Sequence, residues 1–123
     1  MKQSLWVGIG GFLGANARFL LGGWVASRMG SAFPYGTLLI NVTGSLILGF
    51  LMGLFESRTF WPMLRPTLAV GFVGAYTTFS TFTYETVRLV EDGSWLWALA
   101  YTLGSVTGGL LAAVVGLVAG RGM

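Results

Sequence analysis

Gly74-Ala75-Tyr76-Thr77-Thr78-Phe79-Ser80-Thr81-Phe82-Thr83-Tyr84-Glu85 is the stretch on which the reading of this chain turns. It lies in a strongly apolar segment, yet it is crowded with hydroxyls and ends in a carboxylate. Hydrocarbon cannot hydrogen-bond these groups, so within a membrane they must face protein or a water-filled path. The Thr and Ser hydroxyls of residues 77–81 compete for backbone hydrogen bonds. Gly71 and Gly74 lower helix propensity just upstream. The pattern predicts a transmembrane helix broken near its middle. Phe79 and Phe82 are three apart and share a face of its second half. A polar helix–helix contact with two core aromatics is the alternative for this stretch alone.

The surrounding composition places the stretch in a membrane. Of 123 residues, 54% are hydrophobic and only 9% charged, against about 25% charged in soluble domains. At roughly 20 residues per span, the chain is one all-α membrane domain of four helices. The spans read as about 5–26, 35–55, 67–88 and 95–120. The apolar start resembles a signal peptide, but Arg18 interrupts it and no clear cleavage site follows, so it reads as a retained first span. There is no cysteine and no histidine. The commonest metal ligand and the commonest general base are therefore missing, and no carboxylate pair lies deep in a span. These features argue against an enzyme. The net charge of +3 comes from scattered Lys and Arg rather than a basic stripe, which argues against nucleic-acid binding.

The remaining spans carry their own signals. In the first, Gly10 and Gly14 form a GxxxG pair that permits close helix approach. Arg18 is too deep for a simple flank. It either snorkels to an interface or anchors on a carboxylate or on helix C-terminal carbonyls. In the second span, Thr37, Asn41 and Ser45 recur every four residues as a polar stripe. Asn41 reads either as interhelical glue or as a donor to a passing anion. Gly44, Gly49 and Gly53 are close-packing positions there. The loop after it carries Arg58, Arg65 and the interfacial aromatics Phe60 and Trp61. In the fourth span, Gly104, Gly108, Ala112, Gly116 and Gly120 form a small-residue ridge. Tyr101, Ser105 and Gly109 lie on an adjacent stripe. Glu85 reads as a weak candidate for chemistry, near enough to a span end to reach the interface. Four cations (Lys2, Arg58, Arg65, Arg121) fall on one side of the membrane and two (Arg28, Arg88) on the other, a small bias for orientation.

Three motifs together carry a family resemblance over the whole length. They are Gly11-Phe12-Leu13-Gly14-Ala15-Asn16-Ala17-Arg18-Phe19, then Phe33-Pro34-Tyr35-Gly36-Thr37-Leu38-Leu39-Ile40-Asn41-Val42-Thr43-Gly44-Ser45, then Gly71–Phe82. The sequence resembles the small bacterial fluoride channels of the Fluc/CrcB family. That resemblance implies an antiparallel, dual-topology homodimer in the bacterial inner membrane, with two separate pores and lipid around it. It implies passive export of fluoride, and thereby fluoride resistance. It implies a structural sodium ion at the dimer centre, held by backbone carbonyls that here belong to Gly74 and Thr77. The pore phenylalanines would be Phe79 and Phe82, the pore amide Asn41, and the polar track on the fourth helix Tyr101 and Ser105. The hydroxyls of Thr37, Ser80 and Thr81 would be further neutral partners for the anion. The family often continues the track with one more hydroxyl, whereas this chain has Gly109. Arg18 matches the arginine of the first motif and would be structural.

Two other readings stand beside this one. A small four-span multidrug-type transporter would need a buried carboxylate in the first span, where this chain has Arg18. A non-transporting assembly subunit would account for the glycine ridges but leave the Thr37/Asn41/Ser45 stripe without a purpose in lipid.

Overall fold

The computed structural model describes residues 1–123, and every regular element in it is helical. Helix α1 spans Lys2–Met29, α2 Tyr35–Ser57, and α5 Trp95–Arg121. All three are long and apolar enough to cross a membrane. The third span is interrupted. A π-helical segment, Pro66–Val73, leads into a single turn, α3 (Gly74–Tyr76). Thr77 and Thr78 are extended, and α4 restarts over Phe79–Glu91. The break expected from the Thr/Ser cluster therefore falls at Thr77–Thr78. The spans run one to three residues beyond the expected limits at most ends.

Helix ends follow local chemistry. Gly30 (φ 77°) closes α1 and Gly93 (φ 78°) turns the chain between α4 and α5; L side chains rarely adopt such angles, and glycine does so without strain. Thr78 caps α4, its hydroxyl accepting from the Thr81 amide, which satisfies one of the amides a helix start leaves without a partner.

Glycine faces dock the helices in pairs. Gly10 and Gly14 of α1 lie buried on the π segment, where a Cβ would overlap the Thr67 and Phe72 main chain. Gly71 presents the reciprocal surface to Val7, Gly10 and Gly11. On the other side, Gly49 and Gly53 of α2 abut the backbone of Ala113 and Leu117 in α5, while Gly116 and Gly120 abut that of Leu46 and Phe50. With no hydrophobic drive between helices in lipid, such backbone proximity supplies the dispersion contacts that hold them. The expected α5 ridge is only partly used. A Cβ at Gly108 would stand 3.3 Å from a Val42 methyl, whereas nothing lies within 4 Å of one at Gly104. Positions four apart drift round a helix of 3.6 residues per turn, so Gly104 has turned off the α2 face and lines an apolar groove with Trp24, Tyr35 and Leu39.

The well-buried apolar side chains are few: Tyr101, Val73 and Ile40 are nearly or wholly inaccessible, while Leu110, Val114 and Val118 of α5 face outward. That distribution suits a lipid exterior.

Candidate functional site: a cleft at the helix break

The break exposes backbone groups that an unbroken helix would hide, and in hydrocarbon each would cost several kcal/mol. Side chains from two other helices satisfy three of them. Asn41 of α2 donates from Nδ2 to the Thr78 carbonyl (2.9 Å) and accepts at Oδ1 from the Thr78 amide (2.8 Å). Arg18 of α1 donates from Nε to the Ala75 carbonyl (3.1 Å). The Thr77 hydroxyl donates to the Val73 carbonyl (3.0 Å). Of the expectations for Arg18, snorkelling to an interface or anchoring on a carboxylate or on helix C-terminal carbonyls, its contact is of the last kind.

These bonds have a second consequence. In a continuous helix the Thr78 amide would bond Gly74 and the Thr81 amide would bond Thr77. Here the first goes to Asn41 and the second to the Thr78 hydroxyl. The carbonyls of Gly74 and Thr77 are thereby deprived of their helical donors, and Gly74 is exposed at the surface.

Next to the break lies a cleft of about 290 Å³ between α2, α4 and α5. Asn41, Ser45, Phe79, Phe82 and Ser105 line it, with Thr77 and Thr78 at its wall. Asn41 spends one N–H on Thr78, and the other is not engaged by the protein. The Ser105 hydroxyl is buried without a hydrogen-bond partner, an arrangement that is costly unless a ligand or water supplies the partner. The Phe79 and Phe82 rings are 5.9 Å apart and tilted by 54°. Phe79 is 76% exposed, whereas Phe82 is half-buried. Phe82 packs on Tyr101, centroid to centroid 5.1 Å at 65°.

Beyond the cleft the polar groups continue. Tyr101 is fully buried and donates to Glu85 Oε1 at 3.2 Å. Glu85 is thus drawn inward by a tyrosine rather than left to the interface. Thr37 is buried, with its hydroxyl beside that of Tyr101.

The cleft therefore joins Asn41, Phe79, Phe82 and Ser105. Tyr101 and Thr37 lie behind Phe82, outside its lining. Ser80 and Thr81 are engaged at the α4 cap instead, Thr81 Oγ1 lying 3.1 Å and Ser80 Oγ 3.4 Å from the Thr78 hydroxyl. Ser45 was recognisable only as part of a stripe. Its hydroxyl donates to Asn41 O (2.7 Å), and it stands 3.5 Å from where a Cβ at Gly109 would be. It places a hydroxyl opposite the position where the fourth-helix track lacks one.

Comparison with known proteins agrees with this architecture. Residues 5–117 match the family described as "CrcB-like protein, Camphor Resistance (CrcB)". A Moorella thermoacetica protein named "Fluoride-specific ion channel FluC 2" is 51% identical over 117 residues, covering 94% of this chain and 93% of that protein. Proteins named "Fluoride-specific ion channel FluC" from Magnetococcus marinus and Chloroflexus aurantiacus are 49% and 44% identical, each match covering at least 97% of both chains. With a helix break, a polar cleft and full-length relatives in agreement, this chain belongs to the CrcB family.

Proposed function

We propose that this chain forms a passive, fluoride-selective channel of the bacterial inner membrane that lets cytoplasmic fluoride leave down its gradient. The observation that carries the reading is the cleft in which the spare Asn41 N–H, the unpartnered Ser105 hydroxyl and the rings of Phe79 and Phe82 converge. Fluoride is small and strongly hydrated, and a pore must replace its water without holding it fast. An amide, a hydroxyl and the positive edges of aromatic rings are neutral partners suited to that task. No Lys or Arg lines the cleft, where a full positive charge would trap the anion. The route continues past Phe82 to Tyr101 and Thr37, and Ser80 and Thr81 hold the α4 start in place.

The working unit in this reading is an antiparallel dimer of two copies with two pores. Support comes from Gly74 and Phe79, both exposed beside a break in the middle of a span. Irregular backbone at membrane depth is tolerated only against protein or water, so a second copy crossing there would cover it. The Gly74 and Thr77 carbonyls suit a hard monovalent cation, which takes oxygen ligands. Two copies would bring four such oxygens together to hold a sodium ion. Bound there, the ion would supply fixed positive charge to the dimer centre. Arg18, through Ala75, holds the turn that presents these carbonyls.

The test is efflux from liposomes holding only this purified chain, followed with a fluoride electrode after adding a potassium ionophore. Rapid fluoride release with little chloride release is expected. Folded, reconstituted protein that releases none would overturn the reading and favour a non-transporting assembly subunit.

A further inference from the structure

The loop between α2 and the π segment holds a feature that anion permeation does not use. Arg58, Thr59, Phe60, Trp61, Pro62 and Arg65 line a cleft of about 270 Å³ in this loop between two spans. Aromatic contacts shape it from behind: Phe60 packs edge-on to Phe55 at 5.7 Å, and Trp61 sits perpendicular to Trp6 of α1 at 4.8 Å. Such rings belong at the headgroup level of a bilayer.

The arginines outside this cleft are accounted for. Arg88 pairs with Glu91 at 3.1 Å and Arg121 with Glu56 at 2.7 Å. Arg18 bonds the Ala75 carbonyl, and Arg28 lies 5.7 Å over the Trp24 ring. Arg58 donates from Nε and Nη2 to the Met123 main-chain oxygen, which leaves Nη1 over. Arg65 has only the Met52 thioether, at 3.9 Å. Among the arginines it alone meets no carboxylate, carbonyl or ring. The cleft thus holds two guanidinium groups with donors to spare; Glu56, which Arg65 reaches electrostatically, is held by Arg121, and a loop between two spans belongs at the level of phospholipid phosphates. Guanidinium matches phosphate with paired, directional hydrogen bonds.

We propose that the Arg58–Arg65 cleft binds the phosphodiester of an anionic phospholipid, with Phe60 and Trp61 against its glycerol and upper acyl carbons. The site does not depend on what the channel conducts. It would anchor the α2–π loop and hence the first half of the broken span.

Native mass spectrometry of the chain released from nanodiscs of equal parts phosphatidylglycerol and phosphatidylcholine tests this. The wild-type chain should retain phosphatidylglycerol in preference. Each arginine near an anionic surface contributes a factor of about five, so Arg65→Gln should lower that retention about fivefold and Arg58→Gln/Arg65→Gln further. Arg65→Lys should fall between, because it keeps the charge and loses the fork. Fluoride efflux by Arg65→Gln should match wild type, which confirms that it folds. Absence of a phosphatidylglycerol preference, or a preference equal in wild type and variants, would overturn the proposal. Displacement of the lipid by inorganic phosphate at equal concentration would reassign the cleft to a soluble anion and overturn it as well.

Discussion

Asn41 and Thr78 are joined twice, the amide of one side chain closing on both backbone groups of the other residue at 2.9 and 2.8 Å. A side chain on α2 thereby replaces the hydrogen bonds that the broken span gives up. The same amide keeps one N–H for the cleft, so the residue that stabilises the break also faces the proposed anion path.

Asn41→Asp tests both roles. The carboxylate can still accept from the Thr78 amide but places an acceptor against the Thr78 carbonyl and a negative charge in the cleft. Fluoride efflux should fall to background. Asn41→Ala should also lower thermal stability in detergent, by about 1–3 kcal/mol for the buried groups left unpaired. Unaltered flux in Asn41→Asp would take the residue off the path.

Phe79 and Phe82 should separate function from folding. Phe79 is largely exposed in the single chain, so Phe79→Ala should leave its unfolding temperature near wild type while cutting fluoride flux at least tenfold. Phe82 packs on Tyr101 and is half-buried, so Phe82→Ala should cost flux and also about 2–4 kcal/mol of stability, somewhat less than the roughly 3–5 kcal/mol of fully buried aromatic truncations. Assembly of the proposed dimer, read by cross-linking, should survive in Phe79→Ala; assembly lost in parallel with flux would make the ring structural.

Arg18→Met removes the donor to the Ala75 carbonyl. Hydrogen bonds from charged groups contribute about 1.5–3 kcal/mol, and a loss of that size should appear in detergent melts. Flux per folded channel should change little. A large drop in flux without a loss of stability would place Arg18 in the permeation path.

The glycines divide into two classes. Gly49→Ala and Gly116→Ala drive a methyl into the backbone of the facing helix and should destabilise strongly. Overpacking costs about 1–3 kcal/mol even where side chains can move, and the backbone here cannot move freely. Gly104→Ala points into open space and should be neutral. Equal effects at Gly104 and Gly116 in thermal melts would contradict the different surroundings of the two positions.

Much of this was legible in the chain itself. Composition and hydropathy dictate a membrane bundle, because so few charges cannot clothe a soluble surface. Residues 77–81 dictate a break, because clustered hydroxyls after glycine weaken a helix locally. The GxxxG pair Gly10/Gly14 identified a docking face from spacing alone, since residues four apart stack on one side. Which groups meet was decided only by the tertiary structure. Asn41 finds Thr78, Arg18 finds Ala75 and Tyr101 finds Glu85 across separations of 37, 57 and 16 residues, and helical periodicity carries no information about such partners. Equally, no spacing rule distinguishes Ser105, left unpartnered in the cleft, from Thr81, occupied at the α4 cap. The sequence by itself determined the class of element and the place of the break. Tertiary packing decided which polar groups are spent on holding the break and which remain for an ion.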